Sequence, residues 1–205
     1  MYYAELLNSC QRNGIPLHFD STGPEHASRL YSFIQDQNRM SLHDIGCTLP
    51  GRWRRSIADA DLTNRLGLNV RVVKGQWKDP QAPDLDARAG YMQVIRQLAG
   101  KARCVRVATH DLSLATAALT CLLKQKTYCE LELLYGLPME QLVSLAERLN
   151  VPVRIYVAFG HPYLPYALSG LRKNPKMILP LVKEAFRRDY LLSIPVCSTN
   201  NLSSC

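Results

Sequence analysis

The sequence predicts an α/β fold of serial βα units, an incomplete (β/α)8 TIM-type barrel with about six parallel strands. Three observations carry this reading. Six short apolar runs, at 15–20, 44–49, 69–75, 105–110, 129–136 and 153–160, begin 29, 25, 36, 24 and 24 residues apart. Helical patterns fill the gaps. A strand plus a helix in about 25–35 residues is one βα unit, and a series of them builds a parallel sheet because each helix returns the chain to the same edge. The first strand–helix junction carries no G-x-G-x-x-G motif, which disfavours an open, doubly wound dinucleotide fold and leaves the barrel. A complete barrel has eight strands and typically about 250 residues. This chain has 205.

Taken in order, the strand segments are near-continuous in Val, Ile, Leu or Tyr, as expected of strands covered on both faces. The first helix, 25–37, shows an apolar stripe at Ala27, Leu30, Tyr31 and Ile34. A shorter helix spans 58–66. The third, 87–99, repeats the stripe with Met92, Ile95 and Leu98, and helices at 112–124 and 139–149 follow. Pro138 suits the first turn of the last of these, and Asn150 suits its C-terminal stop. Residues 1–14 are too few to supply two further strands. The chain reads as one partial barrel domain over 1–190, followed by a polar, mobile tail over 191–205.

With 47% hydrophobic and 20% charged residues, the composition excludes a disordered or collagenous chain. No run approaches the roughly 20 apolar residues of a membrane span. The opening MYYAELLNSCQ lacks the basic-then-apolar pattern of a signal peptide, so the expected location is cytoplasmic. The seven cysteines are scattered without a C-x-x-C pair. Cys47, Cys104, Cys121 and Cys129 lie in apolar runs and read as small core residues in a reducing compartment. The formal charge of +8 is spread along the chain apart from Arg52, Arg54 and Arg55; it reads as a solvated surface rather than a nucleic-acid footprint. The five histidines show no metal-ligand spacing, so no metal is expected. No G-x-S-x-G elbow is present.

Barrel active sites lie at the carboxyl ends of the strands. There the sequence offers Asp20 and Ser21, the segment 50–55, Arg71 with Lys74, Gly75, Gln76 and Trp77, Thr109, His110 and Asp111, Glu130, Glu132 and Tyr135, and Tyr156 with Gly160 and His161. Arg71 sits inside an otherwise apolar strand, so it needs a partner: either a salt bridge to Asp20, Glu130 or Glu132, or an anionic ligand. Lys74-Gly75 suits a phosphate cradle. His110 is either a hydrogen-bonded core residue or a functional one.

Six motifs in order carry a resemblance. The strand Arg71-Val-Val-Lys-Gly-Gln-Trp77 resembles R-L-V-K-G-A-Y of the proline dehydrogenases. Val107-Ala-Thr-His-Asp111 is similar to their A-T-H-N, Glu130-Leu-Glu-Leu-Leu-Tyr-Gly136 to E-F-Q-x-L-Y-G, and Arg154-Ile-Tyr-Val-Ala-Phe-Gly160 with Tyr166 beyond it to R-V-Y-V-P-Y-G…Y. His18-Phe-Asp20 fits a strand ending in D-x-E, and Gly46-Cys-Thr-Leu49 the strand leading to Q-A-Y. The resemblance covers roughly 15–175. It implies that the six strands match the third to eighth of the family barrel, and that the protein is an FAD flavoprotein of proline catabolism. Such an enzyme takes hydride from L-proline to flavin N5, gives pyrroline-5-carboxylate, and passes electrons to a quinone or another acceptor, in the cytoplasm or peripherally at the inner membrane. By resemblance Asp20 and Arg71 are catalytic. Ser21, Arg71, Lys74, Gly75, Gln76, Thr109 and His110 contact the cofactor, and Tyr166 packs on the substrate ring.

The departures matter as much. The family's carboxylate-binding Arg pair is replaced by Ser169-Gly170, with Arg172 three residues on as a substitute. Q-A-Y has become Pro50-Gly51-Arg52, the strand tyrosine Trp77, and the neutral amide Glu132. Six strands cannot close the barrel, and open edges expose backbone. A truncated chain, a complementing polypeptide, a homo-oligomer or a catalytically impaired relative follows as the alternative to an active enzyme. A phosphate-binding barrel of other chemistry is the third reading.

Overall fold

The computed structural model describes residues 2–36 and 45–157. Its elements alternate: α1 (Tyr2–Arg12), β1 (Leu17–Phe19), α2 (Pro24–Asp36), β2 (Ile45–Pro50), α3 (Ser56–Leu66), β3 (Asn69–Val73), α4 (Ala87–Leu98), β4 (Val105–Ala108), α5 (Leu112–Lys124), β5 (Cys129–Leu134), α6 (Glu140–Leu149) and β6 (Val153–Tyr156). The six strands form one sheet in sequential order, every neighbouring pair parallel. Each crossover therefore adds a strand to the same growing edge, as a barrel requires.

The sheet curls. Arg106 on β4 donates from Nη1 to His18 Nδ1 on β1 at 3.3 Å, and the Arg71 guanidinium on β3 stands 4.7 Å from the centroid of the Tyr156 ring on β6. In a flat sheet, strands three apart are about 14 Å from one another. These cross-sheet contacts define the concave side of a half-barrel, so the fold is an incomplete α/β TIM-type barrel.

The two faces of the sheet differ in chemistry. Val70, Val72, Val105, Val107, Leu131 and Leu133 point outward and are 0% exposed. They pack with Ile95 and Leu98 of α4, Leu119 and Leu122 of α5 and Ala146 of α6 in one apolar core. A smaller cluster joins Tyr31 and Ile34 of α2 to Ile45, Cys47 and Leu68. The alternate positions, His18, Thr48, Arg71, Arg106, Glu130, Glu132 and Arg154, line the concave side. Strands expected to be apolar on both faces instead alternate, because among the described residues the helices cover the convex face. A closed TIM barrel fills its interior with packed side chains; here charged residues face one another across the curl.

Local signals explain the element boundaries. Asp86 caps α4 by accepting from the Arg88 and Ala89 amides at 2.7 and 3.3 Å, and Asp111 caps α5 by accepting from the Leu114 amide at 3.1 Å. Asn150 closes α6 in the left-handed region at φ 53°, its amide donating to Glu147 O, as expected of a helix stop. Pro138 departs from expectation: α6 begins at Glu140 after Met139, and Pro138 precedes the cap, where its carbonyl is used as an acceptor. Helix α1 was not anticipated from the sequence. It buries Leu7 and leaves Leu6 exposed, a narrow stripe of the kind a short amphipathic helix needs.

Candidate active site

Along the concave face, from the starts of β4 to β6 toward the mouth, runs a network of ion pairs between residues that the register brings near one another. Thr48, Arg71, Arg106 and Glu130 are successive partners across β2 to β5, and Glu132 pairs with Arg154 across β5 and β6. Glu130 is held by two arginines: Arg154 Nε and Nη2 meet its two oxygens at 2.7 and 3.1 Å, and Arg106 Nε lies 3.2 Å away. Burial works against its charge. The hydrogen bonds and charges of Arg154 and Arg106 outweigh that cost and hold the carboxyl below the usual range.

Arg71 is the hub of the mouth. Its Nη1 lies 3.3 Å from Asp20 Oδ2, its Nε 2.7 Å from Glu132 Oε1, and its plane covers Tyr156. Of the two readings of this residue the salt bridge is present: from the middle of β3 its guanidinium reaches Asp20, just past the end of β1, and Glu132. Glu132 is 6% exposed, and its Oε1 has no aligned hydrogen bond, so the contact with Arg71 is ionic. Burial raises the pKa of Glu132 against the pull of Arg71. Asp20 is more than half exposed at the rim and accepts from the Ser21 amide at 2.9 Å. Ser21 donates to Thr48 O at 2.5 Å, which ties the β1 end to β2.

His18 completes the inner network. Arginine can only donate, so Nδ1 accepts from Arg106 and Nε2–H donates to Thr48 Oγ1 at 2.9 Å. Burial, with Arg106 and Arg71 nearby, pushes its pKa down to about 3 and keeps the ring neutral. His110 is shifted in the same direction. Burial lowers its pKa, Nδ1–H donates to Pro138 O at 3.3 Å, and the Leu134 amide donates to Nε2 at 2.9 Å. Both ring nitrogens are thus used in joining the β4 and β5 ends, so this residue acts first as a structural tie. Thr109 is buried, its Oγ1 accepting from the Asp111 amide at 3.1 Å.

The segment after β3 is braced from the side. Gly51 N donates to Val73 O and Arg52 N to Lys74 O, at 2.8 and 3.1 Å, while Trp53 Nε1 reaches Trp77 O at 3.0 Å. Pro50-Gly51-Arg52 therefore supports Lys74-Gly75-Gln76 from below. Gly75 has φ 91°, and a side chain there would strike Pro50. Gln76 takes part through its carbonyl, which accepts weakly from Arg52 at 3.4 Å. Lys74 Nζ stands 3.9 Å from Asp111, which also pairs with Arg88. The amide of Leu114 leads the interactions that lower the pKa of Asp111.

Asp20, Ser21 and Thr48 also border a cavity of about 560 Å³ between β1, β2 and α2, with Phe19, Leu30 and Phe33 on its apolar side. Burial pushes the thiols of Cys47 and Cys129 up to about 12 and 11, which makes them core residues and not nucleophiles. Among the described residues no group of three or more His, Cys, Asp or Glu could hold a metal ion, and no helix is long and apolar enough to cross a membrane.

The structure thus brings Asp20, Ser21 and Arg71 together, and pairs Lys74 with Asp111 after the ends of β3 and β4. Tyr166, Arg172, Ser169, Gly170 and His161 lie outside the described residues, as does the 191–205 segment. His18, Thr48 and Arg106 were missed as site residues. Their signal was parity: each stands at an odd-one-out polar position in an alternating strand, as Arg71 does.

Fold and site together define a class: a curled α/β half-barrel whose concave face carries an arginine-centred ion-pair network. No family model matches the chain. Among known proteins it is similar to the proline dehydrogenase of Deinococcus radiodurans, 26% identical over 139 residues, which cover 64% of this chain and 44% of that protein. The chain spans less than half the length of this curated relative. The match supports a distant relationship to proline dehydrogenases.

Proposed function

We propose that the half-barrel is the flavin-binding part of an FAD-dependent oxidoreductase of proline dehydrogenase type, acting on L-proline or a related secondary amine. The observation that carries the reading is the position of Arg71, a guanidinium fixed at the strand ends between Asp20 and Glu132 and over Tyr156. The donor set fits an isoalloxazine: Arg71 and Lys74 are cations, Gln76 is an amide, and Gly75 turns the segment that carries the last two. When bound, a flavin would supply the two-electron acceptor for hydride from the carbon next to nitrogen, with the amine proton going to solvent and a C=N bond left behind.

The chain's own residues do the rest. Arg71 offers fixed positive charge where negative charge develops. Asp20 and Glu132 hold its fork in one orientation. Asp20, exposed at the rim, pairs with an ammonium. From L-proline the product would be pyrroline-5-carboxylate, and a quinone or another acceptor would take the electrons in the cytoplasm or at the inner-membrane surface. Because β1 and β6 are the outer strands of the sheet among the described residues, a complementing chain or a second copy is part of the proposal.

Titration with FAD followed by anaerobic addition of L-proline tests it. Protein-bound flavin absorbance that bleaches with L-proline or another secondary amine is the expected result; protein that stays colourless at saturating FAD contradicts it. A second reading, a catalytically impaired relative or subunit, is favoured by one observation: two carboxylates already take up the charge of Arg71. It predicts protein that is colourless as purified and shows no bleaching by amines after FAD is supplied.

A further inference from the structure

The two carboxylates that meet Arg71 stand in different surroundings. Asp20 is 58% exposed and lies 3.3 Å from Nη1, so water screens its charge. Glu132 is 6% exposed and lies 2.7 Å from Nε, and both atoms of that contact are shielded from solvent. The register partner of Glu132 on β4 is Ala108, so Arg71 reaches across β4 from β3 to meet it on β5. Glu130 takes up Arg106 and Arg154, which leaves Arg71 as the cation in contact with Glu132 among the described residues. Burial favours the neutral form of Glu132, and the charges of Arg71, Arg106 and Arg154 oppose it.

A guanidinium with nothing to offset its charge, set beside an isoalloxazine, favours the reduced form over the oxidised one. The oxidised ring is uncharged, whereas the reduced ring is anionic at mildly alkaline pH. A carboxylate ionised against that guanidinium works in the opposite direction, and it does so more strongly in a buried contact than in a screened one. We propose that Glu132 lowers the reduction potential of the flavin by offsetting the charge of Arg71, and does so more than the exposed Asp20. The inference deepens the flavoenzyme reading and rests on it for the cofactor beside Arg71. Glu132 acts through Arg71, so it is a positioning residue and not a catalytic one.

The test reads an equilibrium and not turnover. The full chain loaded with FAD is reduced anaerobically with dithionite against a reference dye, at mildly alkaline pH, and followed by flavin absorbance. Glu132→Gln keeps an oxygen for Arg71 and removes the charge. In this variant reduced FAD should gain at least about tenfold in affinity over oxidised FAD, the order expected when one buried charge is removed from beside a cation. For a two-electron couple that gain is an upward shift of about 30 mV in midpoint potential. Glu132→Met, neutral and of similar length, should shift the same way and serves if the amide variant does not fold. Glu132→Asp keeps the charge and should stay nearer the wild type, and Asp20→Asn should shift less than Glu132→Gln. A potential unchanged or lower in the neutral variants, loss of FAD from those variants when folded, or a shift as large in Asp20→Asn overturns the inference while the flavin reading stands. Wild-type protein that binds no FAD overturns the flavin reading and this inference with it.

Discussion

Acidification should destabilise the protein through His18, because burial holds its ring neutral well below the ordinary pKa. The folded imidazole has its pKa pushed down to about 3, against 6.5 ordinarily. The cause is burial first and then the positive field of Arg106 and Arg71. As pH falls below 6.5 the unfolded chain takes up a proton on this ring, and the folded protein does not until about 3. The unfolded state therefore binds more protons throughout that window, and stability falls with pH. At pH 5 the loss is about 2 kcal/mol, from roughly 1.5 pH units at 1.36 kcal/mol each. Glu130, with its depressed pKa, contributes stability that is lost only at lower pH still. Glu132, with its raised pKa, works in the opposite direction, because the folded state takes its proton first. Urea denaturation of the wild type and of His18→Gln, at neutral pH and at pH 5, isolates the imidazole. The wild type should lose about 2 kcal/mol more than the variant, which keeps a donor for Thr48. Identical pH dependence in the two proteins would refute the reasoning.

Three further outcomes follow from packing and capping. A Cβ on Gly90 would overlap the backbone of Gly51, so Gly90→Ala should cost more than about 2 kcal/mol in denaturant midpoint, because backbone and not a flexible side chain must move. Leu131→Ala, at a site with 0% exposure between β5 and the helices, should cost about 2–5 kcal/mol by the same measurement. Asp111→Asn should cost well under about 1 kcal/mol, since asparagine still caps α5 and the exposed pairs with Arg88 and Lys74 contribute little; Asp111→Ala should cost about 1 kcal/mol in thermal unfolding.

Much of the fold was legible because serial βα units leave a strong local signal. The Leu112–Lys124 helix stands at the residues expected, and Ala87–Leu98 and Glu140–Leu149 each within one residue of them. Strand ends were less visible. The 129–136 run ends as a strand at Leu134, two residues before Gly136 turns the chain at φ 87°, and the 105–110 run ends at Ala108, after which the side chains of Thr109 and His110 bond to backbone groups. The faces were read less well. Arg71 stood out because valines flank it, yet Arg106 between Val105 and Val107 follows the same rule and was passed over. A parity count along each strand would have found both. The pairing of Arg106 with His18, and of Arg71 with Tyr156, was beyond any local reading, since each joins strands three apart and depends on the curl of the sheet. His110 illustrates the reverse case. Its position at a strand end suggested ligand contact, while the geometry spends both nitrogens on Pro138 and Leu134.

The claim on which the account rests is that the guanidinium at position 71 anchors a flavin at the strand ends. Quenching of FAD fluorescence, titrated with the wild type and with Arg71→Gln of confirmed secondary structure, addresses it most directly. Saturable quenching by the wild type and affinity at least about tenfold weaker in the variant are predicted. Unsaturable quenching by the wild type, or equal affinity in the two proteins, would contradict it.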